Sequence, residues 1–436
     1  LIVVDEEHDL SYKQQEGLRY SARDLGVFRA RQMGIPIVLG SATPSLESLH
    51  NVARGRYGLL RLAERAGEAV APSVELLDLR GRNLREGLCE PLIDALERTI
   101  EAGEQSILFV NRRGFANVLL CRRCAAPLEC PRCDARLVYH RFDHKLRCHH
   151  CALERPMLDT CPQCQGPLLA LGQGTQRVVE YLHERFPTAR IERFDRDSVG
   201  RVGALDALLT RMRGAEIDVL VGTQMVAKGH DFPSVTLSAV VDADAGLFST
   251  DFRALERMGQ LLVQVAGRAG RARRPGRVII QTHHPQHEML QLLLREGYDS
   301  LARTVLAERE MLGLPPFSHQ AMVRASAPRA ADAEQLLGSL AATARRALAV
   351  IEPSTSASGG RGQLRAETGA APLSVLGPVP APLARRADRY HFQLLLEATE
   401  RRVLHGVLDE LVRSLEARSL PRGVRWSLDI DPQETG

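Results

Sequence analysis

The stretch Leu1-Ile2-Val3-Val4-Asp5-Glu6-Glu7-His8 places four apolar residues directly before an acidic cluster. A short apolar run that ends in a polar loop is typical of a central strand in a parallel sheet. Ile35–Gly40 repeats this pattern and leads into Ser41-Ala42-Thr43-Pro44, and Ser21–Gln32 between the two runs is predicted to be a helix. These elements predict an α/β fold with a parallel sheet.

The same alternation continues farther along the chain. Further strands are predicted at Ser106–Val110, Asp218–Val221 and Leu237–Asp242, with helices at Leu92–Ala102 and Ala204–Arg213. A block of paired cysteines interrupts the alternation, so we expect it to be an insertion.

The pattern of predicted strands and helices changes after about residue 290. A small α+β domain is predicted to form the C-terminal part of the chain. Leu314–Pro316 marks the boundary, and the stretch from Pro353 to Ala371 is poor in apolar residues and is predicted to be a flexible linker. The predicted elements are a helix at Ala330–Ala349, a strand at Phe392–Leu396, a helix at Arg401–Arg418 and a strand at Arg425–Asp429.

Composition sets broad limits on the class of protein. The chain has 436 residues, of which 44% are hydrophobic and 25% charged, as in globular proteins. No run of about 18 apolar residues occurs, so we expect no membrane span. The net charge of +4 neither requires nor excludes a nucleic-acid partner. Because the chain begins at Leu1 inside a predicted strand, we expect it to be part of a longer protein.

The acidic cluster stands where parallel sheets bind ligands, at the carboxyl end of a strand. In nucleotide hydrolases of this kind the first acid holds Mg²⁺ and the next polarises the attacking water, which would be Asp5 and Glu6. Taken alone, such a cluster is usually a solvated loop. Three further motifs in order favour a nucleotide site, and they are Gly40–Pro44, Gly222–Asp231 and Gln264–Arg271. If the last is helical, Arg268 and Arg271 share one face and can stabilise a departing γ-phosphate.

These four motifs resemble motifs II, III, V and VI of superfamily 2 helicases, which are built from RecA-like lobes. The resemblance implies that Ser41 and Thr43 couple the nucleotide site to lobe movement, together with Glu7 and His8 of motif II. It also implies that Gln264, Arg268 and Arg271 face ATP from the second lobe. Residues Lys228 and Gly229 would then lie near the nucleotide and the DNA backbone.

The segment Ser11–Tyr20 follows the acidic cluster and is rich in aromatic and basic side chains. Tyrosines with neighbouring cations suit base stacking and phosphate contact in single-stranded DNA. The predicted DNA contacts are Tyr12, Lys13, Arg19 and Tyr20. The alternative interpretation is ordinary packing of Tyr12 and Tyr20.

Eight of the nine cysteines form four C-x₂-C pairs, at Cys121/Cys124, Cys130/Cys133, Cys148/Cys151 and Cys161/Cys164. Two such pairs complete one tetrahedral metal site, so eight thiolates predict two structural Zn²⁺ ions. Without a secretion signal, metal ligation is favoured over disulfides. An iron–sulfur centre is the competing interpretation.

Two ligand pairings are compatible with this spacing. In the sequential pairing, the first two C-x₂-C turns share one ion and the last two share the other. In the nested pairing, Cys121, Cys124, Cys161 and Cys164 hold one ion, and Cys130, Cys133, Cys148 and Cys151 hold the second. Only five residues separate Cys124 from Cys130, whereas 14 residues between Cys133 and Cys148 suffice for a hairpin. The spacing therefore favours the nested pairing.

Several further segments resemble the bacterial family of replication restart helicases called primosomal protein N′, or PriA. They are Asn111–Phe115 before the cysteines, His283–Pro285, Leu314–Phe317, Leu376–Pro380 and Trp426–Pro432. The resemblance covers essentially the whole chain and implies a 3′ to 5′ DNA helicase that uses ATP with Mg²⁺, restarts replication at stalled or repaired forks, and has nested zinc sites. The implied partners are branched and single-stranded DNA, single-strand DNA-binding protein, other primosome proteins and the replicative helicase loader. The implied location is the bacterial cytoplasm, in association with the nucleoid. Ser11–Tyr20 would be the loop that signals DNA occupancy.

On this basis we divide the chain into domains. Residues 1–66 are predicted to be the remainder of lobe 1, residues 67–290 lobe 2, residues 119–168 the zinc module inserted in it, and residues 291–436 a C-terminal DNA- and partner-binding domain with a flexible stretch at 353–371.

The sequence contains no Gly-x₄-Gly-Lys-Ser/Thr phosphate loop, which this family places before the acidic motif. The sequence as given is therefore expected to be inactive alone. A non-catalytic primosome scaffold is the alternative, although a scaffold needs neither Asp5 and Glu6 nor the two arginines. The interpretation as an RNA helicase lacks support once the cysteine block is taken into account, because that block is part of the resemblance to the PriA family.

Overall fold

The computed structural model describes residues 1–62, 72–110, 118–121, 123–124, 128–132, 137–140, 145–148, 153–171, 175–194, 203–223, 232–249, 251–269, 276–355 and 372–433. Within these, positions 118–121, 138–140, 147, 169–171, 245 and 350–355 are described by their backbone only. No helix in the described part of the chain has the length and apolar character needed to cross a membrane.

The strands of the described residues are β1 Ile2–Val4, β2 Ile37–Leu39, β3 Ser73–Asp78, β4 Leu84–Arg85, β5 Leu88–Cys89, β6 Gln105–Phe109, β7 Val118–Cys121, β8 Val138–His140, β9 Lys145–Arg147, β10 Glu154–Pro156, β11 Leu168–Leu171, β12 Ile191–Phe194, β13 Val219–Gly222, β14 Val235–Val240, β15 Arg277–Thr282, β16 His319–Ala327, β17 Leu373–Arg386, β18 Arg389–Ala398 and β19 Arg425–Ile430. The helices are α1 Ala22–Met33, α2 Leu46–Ala53, α3 Glu90–Glu101, α4 Thr175–Arg185, α5 Ala204–Arg213, α6 Asp244–Leu247, α7 Ala254–Ala266, α8 Glu288–Glu296, α9 Tyr298–Met311, α10 Ala330–Thr355 and α11 Arg401–Glu416, with a 3-10 turn at Leu10–Tyr12.

The chain divides into two compact units. The first comprises Leu1–Asn51, Leu119–Leu168 and Leu306–Gly436, and the second comprises Val52–Val118 and Leu169–Val305. The cysteine block thus belongs to the first unit, although it lies between two stretches of the second in sequence. The domain boundaries drawn from the sequence stay predictions.

The second unit is built on a six-stranded parallel sheet with the order β12-β13-β6-β14-β15-β3. Its core is apolar, and α3 contributes Leu92, Ile93 and Leu96, which share one face at helical spacing. The strands predicted around Ile107, Leu220 and Ala239 are all present, displaced by at most two residues. The predicted α/β fold with a parallel sheet is confirmed.

In the first unit, β1 and β2 pair in parallel, with Val3 opposite Val38, and α1 connects them. The hydroxyl of Ser21 caps α1 by accepting the backbone N–H of Asp24 at 3.2 Å. Gly34 ends the helix with a φ of 63°, a conformation that glycine adopts without strain. This short parallel pair places the acidic loop after β1 beside the Ser41 loop after β2.

The C-terminal part of the first unit is an antiparallel sheet of order β17-β18-β16-β19, packed against α10 and α11. Its core is formed by alternate residues of the strands and by apolar helix residues such as Leu337 and Leu404. The predicted α+β arrangement is confirmed. Helix α10 continues to Thr355, past its predicted end at Ala349 and into the predicted linker, whose residues 356–371 lie outside the described part.

Candidate functional site

The acidic loop begins at the carboxyl end of β1. Asp5 is exposed, and its Oδ1 accepts the backbone N–H of Glu6 at 3.0 Å. Glu6 has a φ of 48°, so the backbone turns sharply between the exposed Asp5 and the buried Glu7. The two neighbouring acids predicted to serve Mg²⁺ and the attacking water therefore stand at the end of the strand, where ligands of α/β sheets bind.

Glu7 points into the protein and is only 1% exposed. Its carboxylate accepts the backbone N–H of Ser45 at 2.6 Å, the Ser45 hydroxyl at 3.0 Å and the Arg23 guanidinium at 3.1 Å. Burial alone would lower the pKa of Arg23, but the carboxylates of Asp24, Glu47 and Glu7 raise it above its ordinary value. Glu7 therefore ties α1 and the start of α2 to the acidic loop, and its predicted nucleotide contact stays a prediction.

His8 joins the acidic loop to the loop after β2. Its Nδ1 atom lies 2.7 Å from the hydroxyl oxygen of Ser41, and that oxygen also accepts the backbone N–H of Thr43 at 2.9 Å. The same His8 Nδ1 atom lies 3.5 Å from the carboxylate of Glu6. The residues predicted to couple the two motifs, His8 and Ser41, are thus in direct contact.

The aromatic segment returns to the acidic loop through Tyr12. The Tyr12 hydroxyl donates a hydrogen bond of 2.7 Å to the backbone carbonyl oxygen of Asp5. Burial, and then the carboxylates of Asp5, Asp9 and Glu6, raise the pKa of Tyr12, so its hydroxyl stays a donor at neutral pH. The segment is therefore hydrogen-bonded to the backbone of the predicted Mg²⁺ ligand.

The other predicted DNA contacts differ in exposure. Tyr20 is exposed. Lys13 is only 7% exposed, and its ammonium forms an ion pair of 2.9 Å with Asp429. Arg19 lies 3.6 Å from the same carboxylate. Contact of Lys13 with a DNA phosphate stays a prediction, since its charge is already paired in this structure.

The second unit carries the last motif of the predicted motor. Gln264 lies in α7, which ends at Ala266 with Gly267 as its C-cap. Arg268 follows α7 in a turn and is buried. Arg271, Lys228 and Gly229 lie outside the described residues.

A charged network lies at the carboxyl ends of β14 and β15 in the second unit. The Asp244 carboxylate accepts hydrogen bonds from the Thr282 hydroxyl and, at 3.0 Å, from the backbone N–H of His283. It also lies 2.7 Å from the Nδ1 atom of His283. Burial alone would raise the pKa of Asp244, but the hydrogen bonds from Thr282 and His283 lower it below its ordinary value. Sequence reasoning missed this residue, although His283 was noted within a family motif.

Three cysteines of the inserted block converge. The sulfur atoms of Cys124, Cys161 and Cys164 all lie within 4.8 Å of one another, and Cys124 and Cys161 are 3.7 Å apart. The backbone N–H of Gln163 donates to the sulfur of Cys161 at 3.4 Å, as expected for a C-x₂-C turn that holds a metal. Three thiolates around one point fit a tetrahedral zinc ion.

The other half of the cysteine block contains a hairpin. β8 and β9 pair in antiparallel fashion, with Tyr139 opposite Leu146. This is the hairpin predicted between Cys133 and Cys148. Cys130 and Cys148 on either side of it are buried, and the Cys130 sulfur accepts the backbone N–H of Arg132 at 3.4 Å. Cys133 and Cys151 lie outside the described residues, and Cys121 is described by its backbone only.

Comparison with known families adds three matches. The model described as "Primosomal protein N C-terminal domain" matches residues 310–433. The model described as "PriA DNA helicase Cys-rich region (CRR) domain" matches residues 130–156, a range that contains Cys130, Cys133, Cys148 and Cys151 and excludes the other four ligand candidates. The model described as "Helicase conserved C-terminal domain" matches residues 167–273. The cysteine-rich match and the converging thiols indicate a zinc-binding region.

Curated relatives match over nearly the whole chain. The protein named replication restart protein PriA of Haemophilus influenzae is 43% identical over 435 residues, covering 99% of this chain and 56% of the relative. The protein of the same name from Bacillus subtilis is 39% identical over 437 residues, covering 99% of this chain and 52% of the relative. The chain thus spans about half the length of the curated relatives it matches.

Proposed function

The chain belongs to the family of the replication restart protein PriA, and from that premise we propose that it forms part of an ATP-driven DNA helicase. The proposed activity is 3′ to 5′ unwinding at stalled or repaired forks, followed by primosome assembly and loading of the replicative helicase. The observation that carries the proposal is the contact of the acidic loop with both the Ser41 loop and the aromatic segment.

In this proposal the acidic loop serves the nucleotide. Asp5 would hold the Mg²⁺ ion of bound ATP, which supplies charge neutralisation at the phosphates. Glu6 orients the attacking water and accepts its proton. The family resemblance implies that Arg268 and Arg271, with Gln264, Lys228 and Gly229, would contact the phosphates. A pair of guanidinium groups there stabilises the charge that develops on the γ-phosphate.

The aromatic segment would serve the DNA strand. Exposed Tyr20 offers a stacking face, and Arg19 offers a cation for the phosphate backbone. Tyr12 would link the DNA-binding segment to the nucleotide site, because its hydroxyl donates a hydrogen bond to the backbone carbonyl oxygen of Asp5. Binding of a strand thereby changes the position of the residue that holds Mg²⁺.

The cysteine block would hold two structural zinc ions in the nested pairing. The convergence of Cys124 with Cys161 and Cys164 supports the outer site, since the sequential pairing assigns Cys124 to a different ion from the other two. The family match that spans only the four inner cysteines supports the inner site. The remaining proposed partners are branched DNA, single-strand DNA-binding protein, the other primosome proteins and the helicase loader.

A non-catalytic scaffold is the second candidate. A scaffold needs no acid at the end of β1 and no contact between His8 and Ser41, so the geometry of this loop favours the motor.

The test uses the full-length gene product with two forked DNA substrates, one with a single-stranded 3′ tail and one with a 5′ tail. We expect DNA-stimulated ATP hydrolysis and unwinding of the substrate with the 3′ tail. Asp5→Asn should abolish both while fork binding, measured by fluorescence anisotropy, is retained. Fork binding without any hydrolysis in the unaltered protein would favour the scaffold.

A further inference from the structure

A buried carboxylate in the C-terminal sheet lies within 4 Å of three cationic side chains. Asp429 lies in β19, and its side chain is only 3% exposed. The Lys13 ammonium lies 2.9 Å from it, the Arg324 guanidinium 3.3 Å and the Arg19 guanidinium 3.6 Å. The Lys13 ammonium is buried together with the carboxylate, whereas Arg19 and Arg324 are partly exposed, so Lys13 depends most on Asp429.

Two of these cations come from the aromatic segment and one from the sheet itself. Arg324 belongs to β16, which pairs directly with β19. Lys13 is fixed a second time, because its ammonium donates a hydrogen bond of 2.6 Å to the carbonyl oxygen of Ile430. The aromatic segment is therefore anchored to the end of β19 at both a charged and a backbone oxygen.

The anchored residues stand at the two ends of the exposed part of the segment. The backbone N–H of Gln14 donates to the carbonyl of Tyr20 at 2.8 Å, which closes residues 14–20 into a loop. Lys13 precedes this loop and Arg19 lies near its end, so both sides of its base meet Asp429. Residue 12, next to Lys13, is the tyrosine that bonds to the Asp5 backbone.

We propose that Asp429 is the positioning residue of the aromatic segment, holding Lys13 and Arg19 so that the loop is presented at its exposed tip and Tyr12 stays on Asp5. A strand more than 400 residues away in sequence thereby sets the geometry of the predicted DNA sensor. The significance of this positioning for DNA sensing rests on the proposed function. The positioning itself does not, and it is testable without ATP or DNA.

The chain has only three lysines, Lys13, Lys145 and Lys228, so the state of Lys13 is measurable by its reactivity. The protein is treated with N-acetoxysuccinimide, and acetylation of each lysine is followed by peptide mass spectrometry, with denatured protein as the reference for full reactivity. Asp429→Asn removes the charge and keeps the shape. We expect it to raise acetylation of Lys13 by about tenfold or more, as a cation released from a buried pair regains contact with solvent.

Two control variants show whether the effect on Lys13 depends on the charge at position 429 and on the position of that carboxylate. Asp429→Glu keeps the carboxylate and should leave Lys13 close to its original protection. Asp431→Asn changes a carboxylate two residues away, whose partner is Arg401 of α11 at 3.0 Å, and should leave Lys13 protected. Lys145, which is 46% exposed, should react equally in all variants. Unchanged protection of Lys13 in Asp429→Asn overturns the proposal.

A variant in the aromatic segment covers the case in which Asp429→Asn unfolds the sheet and exposes all lysines. Lys13→Met acts from the segment, and hydrogen exchange followed by mass spectrometry should then show faster exchange in residues 14–20 and unchanged exchange in β16. Unchanged exchange in residues 14–20 would also overturn the proposal. Neither measurement depends on helicase activity. A failure of the positioning proposal can therefore be distinguished from a failure of the proposed function.

Discussion

The imidazole Nδ1 of His8 lies 2.7 Å from the hydroxyl oxygen of Ser41, and this contact joins the loops that follow β1 and β2. The Ser41 hydroxyl also receives the Thr43 backbone N–H, so it holds its own loop while it meets His8. Because Glu6 lies 3.5 Å from the same imidazole, a shift of the Ser41 loop reaches the proposed general base through one side chain. The distances support a coupling role for both residues.

We expect His8→Ala and Ser41→Ala each to lower the ratio of DNA-stimulated to DNA-free ATP turnover in the full-length gene product. If the contact carries the coupling, the double variant should lose no more than Ser41→Ala alone. The interaction energy from the double-mutant cycle should then fall at about 0.5–3 kcal/mol. Additive losses would show that the two residues act independently.

Glu6→Gln tests the proposed general base. The amide keeps the size of the side chain but cannot accept a proton, so DNA-stimulated turnover should fall by about 10²–10⁴-fold. Binding of a fluorescent ATP analogue should be retained, since Asp5 remains. Turnover near the original rate would mean that another residue positions the water.

Tyr12→Phe removes one hydroxyl, and with it the hydrogen bond to the Asp5 carbonyl, but keeps the ring. Loss of a hydrogen bond of about 0.5–1.5 kcal/mol should lower DNA-stimulated turnover by roughly two- to tenfold. Affinity for single-stranded DNA should change little, whereas Tyr12→Ala should weaken both, because the stacking ring is lost as well. Equal loss of turnover with and without DNA in Tyr12→Phe would remove the sensor role.

Much of the scaffold could be predicted from local pattern. The apolar runs before Asp5 and Ser41 identified β1 and β2, and the spacing of the inner cysteines identified the hairpin of β8 and β9. Each of these signals lies within a few residues of the element that it specifies, so one sequence is sufficient.

The environment of individual charges could not be predicted in the same way. Glu7 is buried because the turn at Glu6 directs it inward, and nothing in a run of three acids distinguishes the buried one. Lys13 looked like a phosphate contact from its aromatic neighbours, but its partner Asp429 is brought to it only by the tertiary fold. The end of α7 at Ala266, two residues before Arg268, was likewise not evident from the sequence.

The Asp244 network predicts a pH dependence of stability in the second unit. Because the folded pKa of Asp244 is lowered, its contribution is present above the unfolded pKa of about 3.9 and is lost as pH falls through the folded pKa. Asp244→Asn should lower the free energy of unfolding by about 1.5–3 kcal/mol at pH 7, the range for hydrogen bonds to a charged group. The difference from the unaltered protein should narrow below the unfolded pKa. A difference that is constant with pH would show that charge contributes nothing to the contact.

The last prediction concerns which cysteines share a zinc ion. In the nested pairing, Cys161→Ser disables the outer site, so the protein should lose one of two zinc ions, measured by elemental analysis. The other outer thiols should become open to alkylation by iodoacetamide, and they are Cys121, Cys124 and Cys164. The inner cysteines should stay protected, because their ion is retained.

Cys148→Ser should give the opposite pattern, with the outer four thiols protected and the inner ones open. Cys89 is the control in both variants, because it is fully buried and its burial raises the pKa of its thiol, so it reacts only when the protein unfolds. Alkylation of Cys148 and Cys151 in Cys161→Ser, with Cys121 and Cys124 still shielded, would contradict the nested pairing and support the sequential one. The separation of 3.7 Å between the sulfur atoms of Cys124 and Cys161 is the reason to expect the nested result.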